Sequence, residues 1–449
     1  MRVLSGLLFF PRGGSAQVTR ALASELPGHG WDVTVLSGSL GAGTGDARRF
    51  YSGLDVQAVD FDAGDAPMHP SYEDRPGAPD CCFARMDGSA YREQVAAWAL
   101  ALERAGAASA DVLHLHHLTP LNEAAAIAAP GVPIVGHLHG TELLMLEQIA
   151  AGAPASWRHA DAWARRMRRW AHGCERLILL ADSQLERAVA VLGVDPATCV
   201  TIGNGFDDAS FRPGPIDRAE FWRRQLAEQP RGWRPGEEAG SVAYDLEDAA
   251  GLDERVVLVA VGRFTDVKRL PLLVAAFERA RRVARRPAAL VLVGGYPGEW
   301  EGEHPLEAIE RLGARNVYLA GWHDHDELPQ FLNAADVQVL ASVREQFGLV
   351  LVEGMACGLP PIAVDRFGPA EIVDDGDTGW LVPPDDEDAL ADAIVTAIDD
   401  GEERARRGVA ARRAVRERWT WPALAGEVAQ VLEEVAGVRG GSAATAPSP

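Results

Sequence analysis

Residues 344–358 read REQFGLVLVEGMACG, which has the pattern of a strand-to-helix turn in an α/β protein. An apolar run at 337–340 precedes it, Glu345 lies in the loop, and Gly348 opens an apolar helical segment that reaches Gly358. A strand that passes through a short loop into a helix is the unit from which parallel α/β sheets are built. Such a turn places free backbone N–H groups and the positive helix end at the carboxyl edge of the sheet. It therefore predicts a phosphate-binding site.

Two carboxylates border this helix. Glu345 precedes it, within reach of hydroxyl groups on a bound sugar, and Glu353 lies one turn beyond Leu349 on the same face. A carboxylate suits a ribose diol, because two acceptor oxygens meet two hydroxyl donors. Alternatively, Glu345 caps the helix and Glu353 is a surface residue. The binding interpretation is favoured because Glu353 lies in the otherwise apolar segment 350–356, where an unpaired carboxylate is costly.

The alternation of strand and helix extends along both halves of the chain. Apolar runs separated by helix-length segments predict parallel sheets covered by helices on both faces. The predicted strands are Val3–Phe10, Asp32–Ser37, Val112–His116, Pro133–His137 and Leu177–Ala181 in the first half, and Arg255–Val261, Ala289–Val293, Val317–Ala320, Val337–Leu340 and Pro361–Val364 in the second. We therefore predict an α/β protein with two Rossmann-like domains, at residues 1–206 and 253–420.

Three segments differ from this pattern. Residues 207–252 are rich in Pro, Gly and charge, and we interpret them as a linker and insertion anchored by Trp222 and Trp233. Residues 61–88 contain four prolines, and a long irregular loop of this kind is a candidate for acceptor recognition. Residues 438–449 are dominated by small residues at their end and are predicted to be a disordered tail.

Composition excludes some classes of protein. At 449 residues, with 47% hydrophobic and 24% charged residues, the chain is a globular protein too long for one ordinary core. Its net charge of −22 argues against nucleic-acid binding, which requires a basic face. Five scattered cysteines predict free thiols in a reducing compartment. Residues 1–10 fit a buried strand better than a signal peptide, and no run approaches the roughly 20 apolar residues of a membrane span. We expect a cytoplasmic protein.

A second strand-to-helix turn, at residues 261–269, carries two cations. Arg263 and Lys268 flank this turn, after Gly262, and are expected to face the same anion. Two cations and helix N–H groups can neutralise a leaving diphosphate without a metal. The alternative is a solvated basic turn that caps a helix. Lys268 is the only lysine among 43 Lys and Arg residues, which favours the diphosphate interpretation.

Weaker signals lie in the first half. Gly13 and Gly14 follow the first strand and permit close approach of backbone to a ligand, but the turn lacks the dinucleotide-binding GxGxxG pattern. Histidines end two neighbouring strands, at 114–117 and 137–139, where imidazoles bind hydroxyls or phosphate. No carboxylate or cysteine at ligand spacing accompanies them, so we predict no metal site.

The segment from Trp157 to Trp170 is basic and rich in tryptophan. Its arginines would suit an anionic membrane surface, so a peripheral membrane contact is one interpretation. A packed helix with its arginines outward is the favoured alternative, because no lipid anchor accompanies the segment.

In combination, these motifs resemble the GT-B retaining glycosyltransferases of family 4. Four elements carry the resemblance: the E-x7-E signature at Glu345 and Glu353, the diphosphate-binding turn at Gly262, Arg263 and Lys268, the H-G-T-D element at 139–142, and the interdomain segment at 204–211. Glu142 replaces the usual Asp of the third element. The resemblance covers nearly the whole chain. It implies two domains facing across a cleft, with a C-terminal helix at about 421–437 that crosses back to the N-terminal domain.

The resemblance also implies which residues bind the donor. The catalytic residues would be His139, Arg263, Lys268 and Glu345, and the donor-binding residues Gly13, Gly14, Gly262, Arg263, Lys268, Trp322, Glu345, Phe347, Gly348, Leu349 and Glu353. Arg263 and Lys268 would hold the diphosphate, and Glu345 the donor sugar. Glu353 would bind the ribose, Trp322 would border the base, and His139 would contact the transferred sugar. No metal or cofactor is implied.

The implied function is metal-independent, retaining transfer of a hexosyl group from a UDP- or GDP-linked sugar to an acceptor hydroxyl. The acceptor remains open between a small molecule, a lipid and a glycan, because residues 61–88 and 207–252 depart from the family pattern. A nucleotide-sugar epimerase of the same architecture is one alternative, and it would act without an acceptor. A non-catalytic sugar-nucleotide-binding protein is another. A phosphorylase with a lysine-bound cofactor would have only Lys268 to offer.

Overall fold

The computed structural model describes residues 1–11, 13–41, 45–73 and 80–443, and these form two compact α/β units. The first unit contains the described residues up to Asn204 together with the chain from Trp421 onward. The second contains Gly205–Thr420.

The first unit is built on a seven-stranded parallel sheet. Its strands are β1 (Arg2–Leu7), β2 (Asp32–Ser39), β3 (Asp55–Asp60), β4 (Val112–His116), β5 (Ile134–His137), β6 (Arg176–Leu179) and β7 (Cys199–Thr201), in the order β3-β2-β1-β4-β5-β6-β7. Its helices are α1 (Gly14–Glu25), α2 (Ala47–Phe50), α3 (Gly88–Arg104), α4 (Pro120–Ala128), α5 (Thr141–Gly152), α6 (Ala160–His172) and α7 (Ser183–Leu192).

The second unit repeats this plan with six parallel strands. They are β8 (Val256–Val261), β9 (Ala288–Val293), β10 (Val317–Gly321), β11 (Val337–Leu340), β12 (Pro361–Val364) and β13 (Trp380–Val382), in the order β10-β9-β8-β11-β12-β13. Its helices are α8 (Arg218–Arg223), α9 (Leu246–Ala250), α10 (Leu270–Val283), α11 (Pro305–Leu312), α12 (Leu328–Asn333), α13 (Leu349–Ala356), α14 (Gly368–Ile372), α15 (Glu387–Asp399) and α16 (Gly401–Arg418).

The strand order of each sheet reverses direction at one point, between β1 and β4 in the first sheet and between β8 and β11 in the second. In open parallel sheets, the loops at such a switch point diverge at the carboxyl edge and leave a crevice for a ligand. The turn after β8 carries Lys268, and the loop after β11 carries Glu345. The topology therefore brings the two strongest sequence signals to one crevice.

All ten predicted strands are present, and the described residues form three further strands that the sequence did not reveal. β3 reads DVQAVD and is half-exposed at a sheet edge, so it lacks the continuous apolar run of a central strand. β7 and β13 are three-residue strands at the opposite edges of their sheets. Strands this short carry too little periodicity to be read from sequence.

The C-terminal helix α17 (Trp421–Ala443) belongs to the first unit, as predicted. It packs on α1, β4 and β5, where Val428 and Leu432 are buried. The helix continues beyond residue 437, where we expected a disordered tail to begin, and residues 444–449 of that tail lie outside the described part of the chain.

The segment 207–252 packs as part of the second unit. Trp222 and Trp233 are fully buried, as expected of anchors. The Trp222 indole N–H donates to the Ala334 carbonyl at 3.3 Å, and that of Trp233 donates to the Gly295 carbonyl at 2.8 Å. Trp233 also lies in the hydrophobic core of the sheet. The insertion is therefore integrated into this unit.

Trp157, Trp163 and Trp170 are buried, whereas Arg165 and Arg168 are exposed. The segment is thus a packed helix whose tryptophans do not face solvent.

Within the described ranges, no helix is both long and apolar enough to span a membrane. All five cysteines are free thiols, as their scatter along the sequence predicted.

Candidate active site

The turn after β8 and the loop after β11 meet through a direct ion pair. The Lys268 ammonium donates from Nζ to Glu345 Oε2 at 2.5 Å, and each side chain is about one-fifth exposed, at 18% and 19%. The Val343 amide donates to the Val267 carbonyl at 3.0 Å and joins the two loops. The sequence predicted that both residues serve the same ligand, but it could not show that they pair with each other.

A small cavity opens beside this ion pair. Gly262, Arg263 and Lys268 line it together with residues at the end of β11, including Leu340 and Ala341. Arg263 is exposed, and a Cβ on Gly262 would lie 3.4 Å from the Lys268 Cε. The structure therefore brings the predicted glycine and both predicted cations to one cavity.

A pair of glycines that was not among the predicted site residues, Gly294 and Gly295, forms another part of this edge. Gly294, directly after β9, has φ +122°, and a Cβ there would lie 2.1 Å from the Gly262 carbonyl oxygen. Its amide donates to the Gly321 carbonyl at 2.7 Å. Only glycine permits this approach of three backbone segments. The signal available in the sequence was the Gly294-Gly295 pair at the end of an apolar run.

The helix after the turn at residues 344–348 begins as predicted. Gly348 is the N-cap of α13 with φ +105°, and no side chain caps the helix. Phe347 is buried and packs edge-on against Trp419, with ring centroids 5.2 Å apart. The first turn, starting at Leu349, therefore offers backbone N–H groups without a competing side chain.

Glu353 is buried, with 3% of its surface exposed, so the surface alternative is wrong. Its Oε1 accepts a hydrogen bond from His325 Nε2 at 2.6 Å. The His325 ring packs against Phe211, with centroids 5.1 Å apart. His325 was missed because it lies in a polar loop before α12, with no periodicity to connect it to α13. Trp322, in the same loop, is half-buried and packs edge-on against Tyr296 at 5.7 Å.

In the first unit, Gly14 begins α1 and Gly13 is its N-cap. Both are exposed, and a Cβ at either would meet no atom within 4 Å among the described residues. The packing of the described residues therefore does not require glycine at either position. Arg12, in the same turn, lies outside the described residues.

The histidines of β4 and β5 form a stacked cluster. His114 Nε2 lies 3.1 Å from His137 Nδ1, and His116 Nδ1 lies 3.1 Å from His139 Nε2. Burial lowers the pKa of His114 to about 4, and holds the pKa values of His116, His137 and His139 well below the usual 6.5. These four rings are neutral at physiological pH.

A carboxylate does accompany these histidines, so that part of the sequence interpretation was wrong. Glu142 is fully buried, and its Oε1 accepts from His117 Nδ1 at 2.6 Å and from the His139 amide at 3.3 Å. The first turn of α5 returns this side chain to the cluster, which linear spacing did not reveal. Nitrogen atoms of His114, His116 and His137 lie within 4.8 Å of one another, a grouping that could hold a metal ion. The absence of a metal site stays a prediction.

Known proteins share both units. The family model described as "Glycosyltransferase Family 4" matches residues 12–210, and "Glycosyl transferases group 1" matches residues 246–414. The chain is 32% identical to D-inositol 3-phosphate glycosyltransferase 2 of Catenulispora acidiphila over 231 residues, covering 50% of this chain and 48% of the relative. It is 29% identical to the glycogen synthase of Mycobacterium tuberculosis over 323 residues, covering 72% and 68%. The match thus spans about half the length of the first relative and two thirds of the second.

Solved structures share the fold. The Anabaena protein HepE, in complex with UDP and glucose, superposes with a TM-score of 0.68 at 18% identity, over 96% of this chain and 99% of that one. Sucrose-phosphate synthase from Thermosynechococcus elongatus gives 0.68 at 20% identity, over 97% and 99%.

The two Rossmann-like units are those of the GT-B fold. The chain belongs to glycosyltransferase family 4, since the two family models together match most of its length. The predicted fold, family and enzyme class are confirmed.

Proposed function

We propose that this enzyme transfers a hexosyl group from a UDP- or GDP-linked sugar to an acceptor hydroxyl, with retention of configuration and without a metal. The observation that carries the proposal is the Lys268–Glu345 pair beside the cavity lined by Gly262 and Arg263. A cation and a carboxylate in contact at a switch point are positioned for the two ends of one donor, the diphosphate and the sugar. Because UDP is bound in the Anabaena structure, UDP is the nucleotide to test first.

The proposed donor contacts follow from these positions. Lys268 and Arg263 bind the diphosphate together with the N–H groups from Phe347 to Leu349. Glu345 then accepts hydrogen bonds from the sugar, and Glu353 accepts them from the ribose in place of His325. Trp322 borders the base. Of the first unit, His139 contacts the transferred sugar, and the Gly13–Gly14 backbone contributes to the diphosphate contacts.

The proposed chemistry requires that the leaving group be neutralised. The bond between the anomeric carbon and the diphosphate oxygen breaks, and the acceptor oxygen bonds to the same face of the sugar. The acceptor proton passes to the departing phosphate. Lys268 and Arg263 stabilise the negative charge that develops on the diphosphate, which is worth about 10²-fold or more in rate. These two cations supply the charge that a metal ion would otherwise provide.

The acceptor is proposed to be a hydroxylated small molecule, a lipid or a glycan. Because the C. acidiphila relative is named a D-inositol 3-phosphate glycosyltransferase, phosphorylated polyols are the first class of acceptor to assay. Free thiols support a reducing, cytoplasmic location. The buried tryptophans of α6 give no support to the peripheral membrane contact through Trp157–Trp170.

Product analysis tests this proposal. The purified chain, treated with a chelator, is incubated with UDP- or GDP-hexose and candidate acceptors, and the anomeric configuration of the product is read by proton NMR. We expect transfer with retention, reduced about 10²-fold in Lys268→Ala and unchanged in Arg279→Ala, a surface control on α10. Conversion of the donor without an acceptor would indicate an epimerase instead. Donor binding without turnover of any acceptor would indicate a non-catalytic protein.

A further inference from the structure

Ser5 and His116 form a hydrogen-bonded chain that ends on His139. Ser5 Oγ lies 3.3 Å from His116 Nε2, and His116 Nδ1 lies 3.1 Å from His139 Nε2. Ser5 lies in β1 and His116 in β4, whereas His139 follows β5, and these three strands are adjacent in the first sheet. We propose that this chain holds His139 in the tautomer that carries its proton on Nδ1, so that His139 presents a hydrogen-bond donor to the ligand.

The imidazole rings of His116 and His139 are neutral, so each ring nitrogen is either a hydrogen-bond donor or an acceptor. Ser5 and His116 are buried, with 2% and 0% of their surface exposed, and His139 is half-buried. His116 lies among His114, His137 and His139, with ring centroids 4.6, 5.0 and 5.3 Å away. Charging one ring in this setting is unfavourable, because other imidazoles and apolar groups surround it. A neutral imidazole has one N–H donor and one acceptor nitrogen, so a chain of imidazoles must run in a single direction.

Ser5 sets that direction. Among the described residues, His116 Nε2 is the only hydrogen-bond partner of the Ser5 hydroxyl. If His116 donated to Ser5, the serine proton would be buried without an acceptor, which proteins rarely tolerate. Ser5 therefore donates to Nε2 of His116. The His116 proton is then on Nδ1 and is donated to Nε2 of His139, which leaves the His139 proton on Nδ1.

The backbone of His139 is fixed as well. Its amide donates to Glu142 Oε1 at 3.3 Å, and the same oxygen accepts from His117 at 2.6 Å. Ring and backbone are thus held by different residues. In this tautomer Nδ1 cannot accept a proton, so His139 binds an oxygen acceptor on the ligand and does not act as a general base. Ser5 and His116 are positioning residues, since they act only through His139.

This inference rests on the proposed function only for the ligand that His139 meets. The tautomer itself can be measured directly. Long-range proton–nitrogen correlation spectra of the full chain labelled with ¹⁵N-histidine distinguish the two neutral tautomers, and His139→Gln identifies the signals of His139. We expect the Nδ1–H pattern for His139 in the wild type. An Nε2–H pattern would overturn the proposal.

Ser5→Ala tests the origin of the tautomer. Without the serine proton, either direction of the chain is allowed, so we expect the His139 signals to shift toward a mixture. We also expect kcat/KM to fall about 10-fold, in the range typical of residues that orient a functional imidazole. Ser5→Thr, which keeps the hydroxyl, should restore both readouts, and Ser24→Ala, on the exposed face of α1, should change neither.

Three results would contradict this account. One is an unchanged His139 spectrum in Ser5→Ala. Another is a Ser5→Thr variant that behaves like Ser5→Ala. The third is a stoichiometric transition metal in the purified protein that is lost in His116→Gln, because a metal on His116 would break the chain. If Ser5→Ala does not fold, the wild-type tautomer decides alone. If His139→Gln transfers sugar normally, the proposed role of His139 fails while the tautomer result stands.

Discussion

Lys268 Nζ donates a hydrogen bond to Glu345 Oε2 at 2.5 Å, although the two residues lie on different loops and are proposed to bind different parts of the donor. When the donor binds, the ion pair must therefore break, and each side chain must contact the ligand instead of its partner. A diphosphate thus competes with Glu345 for Lys268, the only lysine of the chain.

Glu345→Gln should separate nucleotide binding from transfer. The neutral amide releases Lys268, so we expect the affinity for UDP or GDP to rise about 3- to 10-fold, which corresponds to roughly 1 kcal/mol for a partly exposed pair. Transfer should fall by about 10²-fold, because the sugar loses its carboxylate. Calorimetry and initial rates measure the two effects. Glu220→Gln, in a surface pair on α8, is the control. A loss of nucleotide affinity in Glu345→Gln would show that Glu345 assists diphosphate binding.

Glu353 should account for recognition of the ribose hydroxyls. We expect the wild type to bind a 2′,3′-dideoxy nucleoside diphosphate about 10-fold or more weakly than the ribonucleotide, because the dideoxy ligand lacks the two hydroxyl groups that donate to the buried Glu353 carboxylate. Glu353→Ala should bind both equally and weakly. Full discrimination in Glu353→Ala would place the ribose site elsewhere. His325→Ala should keep the discrimination, since the ribose replaces the histidine in the bound state.

Two glycines provide a matched test of the crowded backbone at the second sheet. Gly294 and Gly298 both have positive φ, at +122° and +87°, but a Cβ would collide with the Gly262 carbonyl only at Gly294. Gly298→Ala should therefore cost about 1 kcal/mol from backbone strain alone. Gly294→Ala should cost several times more and also weaken nucleotide binding, as shown by thermal unfolding and calorimetry. Equal effects in the two variants would mean that the contact at Gly262 is unimportant.

Acid should destabilise the first unit through its buried histidines. The pKa of His114 is about 4 in the folded protein, below the usual 6.5, and burial is the cause. The unfolded chain therefore binds protons more readily between these values. Stability is then fully present above pH 6.5 and falls as the pH decreases toward 4, by up to about 1.4 kcal/mol per pH unit for each such histidine.

Unfolding in urea between pH 7 and pH 5 measures this slope, in a window above the range in which carboxylates titrate. His114→Leu should give a shallower slope than the wild type, whereas His172→Gln, on the exposed end of α6, should not change it. A slope that His114→Leu leaves unchanged would mean that this ring does not resist protonation.

The features of the fold and the site that could be predicted were those that a short stretch of sequence encodes by itself. The apolar runs of the central strands, the glycine that opens α13 and the single lysine after β8 were identified because strand burial, helix starts and strand-end cations each leave a local signature. Edge strand β3 was missed because it is half-exposed and lacks that signature.

Side-chain partners between distant segments could not be predicted. His325 meets Glu353 because α12 and α13 pack together. Glu142, in the first turn of α5, forms a hydrogen bond with His117, which follows β4. These contacts depend on tertiary packing, and no periodicity within either segment specifies them. The burial of Glu353 was the exception, because its apolar neighbours in the sequence required it.

Calorimetric titration with UDP, GDP and ADP, in the presence of a chelator, measures whether Lys268 holds a nucleotide diphosphate without a metal. We predict metal-free binding of one of these nucleotides with a dissociation constant in the range of about 1–100 μM, weakened about 10-fold or more in Lys268→Ala, since that variant loses a charge-assisted contact to the diphosphate. Arg279→Ala should bind like the wild type. Binding that requires a divalent metal, or that ignores the loss of Lys268, would contradict the assignment of the diphosphate site.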